Sequence, residues 1–77
     1  MLLHCGLGLR KNDISASLIN EQGDVMVKKI MPNNLELIAA FLDPYRPQLG
    51  NVVLEETENW RSLAGGLAER GFKTQVI

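Results

Sequence analysis

Cysteine is almost absent from this chain: Cys5 is the single one. No disulfide can close within the chain, and the expectation is a reducing compartment such as the cytoplasm. Long apolar runs are absent as well. The longest is a few residues, against the roughly 20 that a membrane-spanning helix needs, so no membrane association is expected. Met1-Leu2-Leu3 lacks the charged start and extended apolar core of a secretory signal. Neither sign of charge is in excess, since 8 Lys and Arg against 9 Asp and Glu leave a net charge of −1. A domain that grips DNA chiefly through its phosphates carries a basic stripe. Here the only basic pairs are Arg10-Lys11 and Lys28-Lys29. On a strand the second pair must face opposite ways. Composition therefore lends nucleic-acid binding no support. Repeats, low-complexity segments and linkers are missing too, which leaves one domain over residues 1–77. At this length folding buries only about 60% of the unfolded chain's surface, so the stability margin is expected to be small.

What is present reads as short, well-punctuated elements. Residues 2–9 form an apolar-rich run without clear alternation, the pattern of a central strand buried on both faces. Asn12-Asp13 supplies turn chemistry. Ile14, Ala16 and Leu18 then alternate with Ser15 and Ser17, as a strand with one polar face does. Glu21-Gln22-Gly23-Asp24 closes a hairpin, and residues 25–31 return as a third strand that Pro32 ends. Asn33 or Asn34 caps a first helix, on which Leu35, Ile38, Leu42 and Tyr45 share a face. Asp43-Pro44 ends or kinks it. Residues 52–55 read as a short buried strand. A second helix over residues 58–70 aligns Trp60, Leu63, Ala64 and Leu67, and Gly71 stops it, with Phe72 placed to pack back. Gly65-Gly66 inside it costs about 1 kcal/mol per glycine relative to alanine, and either close packing against the sheet or simple tolerance accounts for the pair. Residues 73–77 form a last strand. The order β-β-β-α-β-α-β predicts an α/β fold with a mixed sheet whose later strands run parallel.

Two stretches carry a resemblance. Gly6-Leu7-Gly8-Leu9-Arg10-Lys11 fits an opening strand of the form Gly-Ile/Leu-Asp-Leu/Val followed by His, Ser or Lys, with Gly8 in the Asp slot. Val52-Val53-Leu54-Glu55-Glu56-Thr57-Glu58-Asn59-Trp60 fits Val-Val-hydrophobic-Glu-Ser/Ala-Thr-X-Asn-Trp/Tyr, departing only at Glu56. Between them come a strand with Ala and Ser, an acidic-Gly hairpin, and Pro32-Asn33-Asn34 leading into a helix. Over essentially all 77 residues the chain resembles the N-terminal part of the DEDD-type transposases of bacterial insertion sequences, relatives of the Piv and MooV DNA invertases. The Glu-X-Thr-X-Asn-Trp step is the specific part; Gly-Leu-X-Leu alone is weak.

The resemblance implies a ribonuclease-H-like fold in which the first and fourth strands are neighbours. It implies that the complete enzymes move DNA by Mg²⁺-dependent strand cleavage and rejoining, some of them guided by an RNA. Glu55 takes the family's metal-binding, catalytic Glu position. Gly8 supplies no ligand where the Asp is expected, and Asp13, several residues on at the hairpin, is a poor substitute. The family's other two acidic residues and its serine-bearing domain would follow Ile77, so the expectation is an incomplete domain that does not itself cut DNA. An incomplete domain is expected to expose part of an apolar sheet face and an edge strand, and so to associate with itself or with a full-length transposase.

Blander readings accompany each residue. Glu55 at a strand end also belongs to a solvated acidic cluster with Glu56 and Glu58. Thr57 and Asn59 read as helix caps before substrate contacts. Trp60 can stack on a base, but Leu63 and Leu67 on its stripe favour core packing. Arg10 and Lys11 read as a solvated turn. His4 and Cys5, adjacent on a strand, point to opposite faces, which argues against a shared metal ion. Sugar-kinase-like phosphotransfer needs small residues in the first hairpin so that backbone N–H groups can approach phosphate; Arg10-Lys11-Asn12-Asp13 provides none. A non-catalytic interaction module that associates with a full-length transposase remains the alternative to an enzyme fragment.

Overall fold

The computed structural model describes residues 2–56 and 60–77. Five strands, β1 (Leu3–Leu9), β2 (Asp13–Ile19), β3 (Val25–Pro32), β4 (Leu49–Leu54) and β5 (Lys73–Val76), alternate with two helices in the expected order. Helix α1 (Leu35–Leu42) runs into a 3₁₀ helix (Asp43–Gln48), and α2 is Trp60–Glu69. The sheet order is β3-β2-β1-β4-β5. The first three strands are antiparallel neighbours, whereas β1–β4 and β4–β5 are parallel. This mixed sheet is the arrangement of a ribonuclease-H-like core, with β1 and β4 side by side at its centre.

Local chemistry sets the element ends. Asn34 is the N-cap of α1, its side chain accepting from the Leu37 N–H at 3.2 Å. The α-helix stops at Leu42 and tightens to 3₁₀ where Pro44 and Pro47 have no N–H to give. Gly71, at φ +90°, ends α2. There the Phe72 N–H bonds to the Leu67 carbonyl (3.1 Å) and the Gly71 N–H to the Ala68 carbonyl (3.0 Å), a Schellman closure that turns Phe72 into the core.

The core lies on one face of the sheet. Cys5 and Leu7 of β1, Ile14, Ala16 and Leu18 of β2, and Val52 and Leu54 of β4 pack under Ile38 and Leu42 of α1 and Leu63 and Leu67 of α2. The opposite face has no helix on it among the described residues. This corrects the expectation that β1 is buried on both sides. Its residues alternate after all, Leu3, Cys5 and Leu7 inward and His4, Gly6 and Gly8 outward. Glycine had disguised the alternation, because it carries no side chain to mark a polar face. The open face is floored by Gly6, Gly8, Ser15 and Ser17, with Ile19, Val53 and Ile77 around them.

The glycine pair in α2 divides in two. A Cβ on Gly66 would sit 2.4 Å from Leu35 Cδ2, so this glycine lets α1 come close. The neighbour it serves is a helix, not the sheet. Gly65 has nothing within 4 Å and is simply tolerated.

Candidate functional site

The β1–β4 register pairs Gly6 with Val53 and Leu7 with Leu54. One step on, Gly8 and Glu55 come to the same end of the two central strands. Glu55 lies just past β4, exposed, on the open side of the sheet. Both residues line a groove of about 270 Å³ together with Ser15, Ser17, Ile19 and Val53. Gly8 pairs with Ser15 across the antiparallel ladder and Gly6 with Ser17. The groove floor is thus two glycines and two hydroxyls, with Glu55 as the one acidic side chain lining it among the described residues.

Gly8 is not a conformational necessity. Its φ is negative, and a Cβ placed there would meet Ser15 Cβ and the Ser15 carbonyl at 3.9 Å, ordinary contact. The backbone at position 8 therefore accepts a side chain, and an aspartate on it would project into the groove beside Glu55.

Mg²⁺ demands near-octahedral oxygen coordination and is held by one or two carboxylates with its remaining waters or a phosphate. One exposed Glu and two neutral serines do not fit that demand, and no group of three His, Cys, Asp or Glu side chains is placed to hold a metal among the described residues. Asp13, at the start of β2, is turned to a different task. Its Oδ1 lies 2.9 Å from Arg10 Nε and is buried without a directed hydrogen bond, so the two are an ion pair across the first turn.

The remaining sequence candidates fall elsewhere. Cys5 is buried in the core, and its thiol is pushed up from 9.0 to about 12 by desolvation, partly offset by a backbone hydrogen bond at Ser17. His4 faces the open side and accepts a hydrogen bond from the Asn51 N–H through Nδ1 at 3.2 Å. Histidine and cysteine are separated by the sheet, as their adjacency required. Lys28 and Lys29 are split likewise: Lys28 pairs with Ser17 on the open face, Lys29 with Ala16 on the core face. Trp60 packs against the core as a partly buried residue, with the Arg61 guanidinium 5.3 Å from its ring centroid. The capping roles of Thr57 and Asn59, and the part of Glu58 in an acidic cluster, lie outside the described residues.

Sequence reasoning missed Lys28 as part of the open face. The signal was available in the alternation of β3 against β2, but it required the pairing register. Among the described residues no helix is long and apolar enough to cross a membrane. No protein-family model matches the chain, and no curated protein matches it.

Proposed function

We propose that this chain is an N-terminal ribonuclease-H-like domain of an insertion-sequence transposase, belonging to DNA transposition but unable to cleave DNA by itself. The observation that carries this reading is the meeting of Gly8 and Glu55 at one end of the parallel β1–β4 pair, on one open face. That is where such an enzyme needs two carboxylates around a metal ion, and here one of the two is missing. In the complete enzymes of this kind, Mg²⁺, DNA and in some cases a guide RNA complete the reaction; this chain contributes the scaffold and Glu55. A two-metal phosphoryl-transfer site cannot be assembled from Glu55 alone.

The test is cleavage of element-end DNA with Mg²⁺ or Mn²⁺. The 77-residue chain is expected to be inactive. A longer chain that adds the family's remaining acidic residues and carries Gly8→Asp is expected to cut, and its Gly8 parent is not. If the Gly8→Asp chain stays inactive while folded, Gly8 and Glu55 are not the metal-binding pair.

A second reading, a non-catalytic module that associates with a full-length transposase, is favoured by the uncovered sheet face. Co-purification with such an enzyme, and a change in element mobility when the chain is removed, would support it.

A further inference from the structure

The sheet has two edges, β3 and β5, and they are built differently. On β3 the register to β2 slips so that Met26 bulges, Lys28 and Lys29 sit mid-strand, and Pro32 closes it without an N–H. A bulge, lysines and a proline are the devices that keep an edge from pairing. Strand β5 reads Lys73-Thr74-Gln75-Val76 in unbroken register with β4, and only the lysine at its start belongs to that set. Its hydrogen bonds show which backbone groups are free. The Ile77 N–H donates to the Leu54 carbonyl at 2.9 Å, and the Ile77 carbonyl accepts from the Glu56 N–H at 3.0 Å. In a parallel ladder every second residue turns both groups to its neighbour, so Gln75 and Lys73 do the same toward β4. Thr74 and Val76 turn theirs outward.

We propose that two copies of the chain join edge to edge along β5, antiparallel about a two-fold axis perpendicular to the sheet at Gln75, so that their sheets become continuous. The free donors fix this register. With Gln75 opposite the partner's Gln75, Thr74 pairs with the partner's Val76 and Val76 with the partner's Thr74. Each pair exchanges both of its N–H···O bonds, and the two pairs are identical, as an isologous contact requires. Centring the contact on Thr74 instead would call on Phe72, whose N–H is already given to the Leu67 carbonyl. Thr74 and Val76 lie on the helix-covered face, alongside Val52 and Leu54, and two β-branched side chains make a favourable cross-strand pair there.

The outer side of α2 fits the same axis. Helix α2 lies on the β5 flank and α1 on the β3 flank. Gly66 faces Leu35 and Arg70 reaches Glu36, both toward α1, whereas Leu63 and Leu67 face the sheet. At about 100° per residue, the side left above the free edge carries Arg61, Ala64 and Ala68. Gln75 stands about 10 Å up β5 from Phe72, and the same climb along α2 from Gly71 takes about seven residues, to Ala64. The axis thus passes α2 near Ala64 and sets the partner's α2 antiparallel beside it, where alanines admit a close approach. Arg61 comes within about one turn of the partner's Glu69, at both ends of the contact. Among the described residues neither Arg61 nor Glu69 takes part in an ion pair within the chain. About 16 Å of strand and about 20 Å from the open face to the outer side of α2 give roughly 650 Å² over both copies, less than a stable complex needs, so the dimer is reversible. The inference rests on the fold and its edge, not on the transposase reading, and its test reads association instead of cleavage.

The experiment is amide hydrogen exchange of the full chain from micromolar to millimolar concentration, read residue by residue, with sedimentation alongside. The Thr74 and Val76 amides are expected to slow by about tenfold or more as concentration rises, while those of Lys73 and Gln75 stay protected throughout. Thr74→Pro removes an outward donor and leaves the β4 ladder whole, so it is expected to stay folded, by its urea midpoint, and monomeric. Arg61 and Glu69 are exposed; Arg61→Glu and Glu69→Arg are each expected to weaken the dimer by about five- to tenfold, and the double reversal to restore it within about twofold. Thr74 and Val76 amides that exchange equally fast at every concentration overturn the proposal, and this reading decides it even where Thr74→Pro fails to fold. A dimer that survives Thr74→Pro also overturns it and moves the contact off β5. Loss on single reversal without recovery in the double overturns the pairing of Arg61 with Glu69.

Discussion

The Arg46 guanidinium lies over the Phe72 ring, its central carbon 4.0 Å from the ring centroid. The same group donates from Nε to Asp43 at 2.8 Å and from Nη1 to the Arg70 carbonyl at 2.9 Å. One side chain thus joins the 3₁₀ helix to the closing turn of α2. The Arg70 carbonyl is among those left without an intrahelical partner at a helix end, and Arg46 satisfies it.

Arg46→Ala is expected to cost about 1–2 kcal/mol, combining a cation–π contact worth about 0.5–1 with one charge-assisted hydrogen bond reduced by partial exposure. The exposed pair with Asp43 adds little. Arg46→Lys should recover less than half, because an ammonium cannot stack and fork at once. Urea unfolding followed by Trp60 fluorescence gives both numbers; equal stability of all three proteins would remove Arg46 from this role.

His4 and Gly50 form a second joint. Between Leu3 and Cys5 the β1–β4 register slips by one residue, and the His4 ring occupies the gap, Nδ1 taking the Asn51 N–H. A Cβ on Gly50 would come within 2.8 Å of His4 Cε1. His4→Leu should cost about 1–2 kcal/mol by leaving a half-buried N–H unpaired. Gly50→Ala should displace the ring and lose the same bond. The double variant is then expected to be less destabilised than the sum of the two. Strict additivity in a double-mutant cycle would show the two residues to be independent.

The glycines of α2 predict opposite balances. Gly65→Ala should raise stability by about 1 kcal/mol, the helix-propensity difference, because nothing stands in the way. Gly66→Ala should gain less or lose outright, since Leu35 must give ground. Thermal midpoints that rank the two the other way round would mean α1 does not pack where described.

Burial of Cys5 couples stability to alkaline pH. The unfolded thiol releases its proton near 9.0, whereas the folded one holds it to about 12. Below about pH 9 both states are protonated and the stability is fully present. As pH rises from there toward 12 the unfolded state gains, and stability falls by up to about 1.4 kcal/mol per pH unit. Cys5→Ala should be less stable at neutral pH through the lost packing, yet show a shallower alkaline slope. A thiol reagent at pH 8 should label Cys5 only at the rate of unfolding, and rapid labelling of the native chain would contradict this.

Much of this architecture is written locally. The Asn34 cap, the Pro44 stop, the Gly23 and Gly71 turns and the 2.0- and 3.6-residue periods act over a few residues, so element order and the parallel placing of β4 and β5 followed from the sequence. Gly8 and Glu55 were expected side by side only through the resemblance their two strands carry, and it is the β1–β4 register that brings them to one end of the sheet. What needed tertiary structure was anything that depends on which strand lies beside which. Only the register places Lys28 on Glu55's face, sets the glycines opposite serines, and turns a seemingly uniform apolar β1 into a strand with one open side. Arg46 over Phe72, His4 in the Asn51 gap and Leu35 against Gly66 join residues 26, 47 and 31 positions apart. Such contacts arise when the helices settle on the sheet, and no local propensity encodes them.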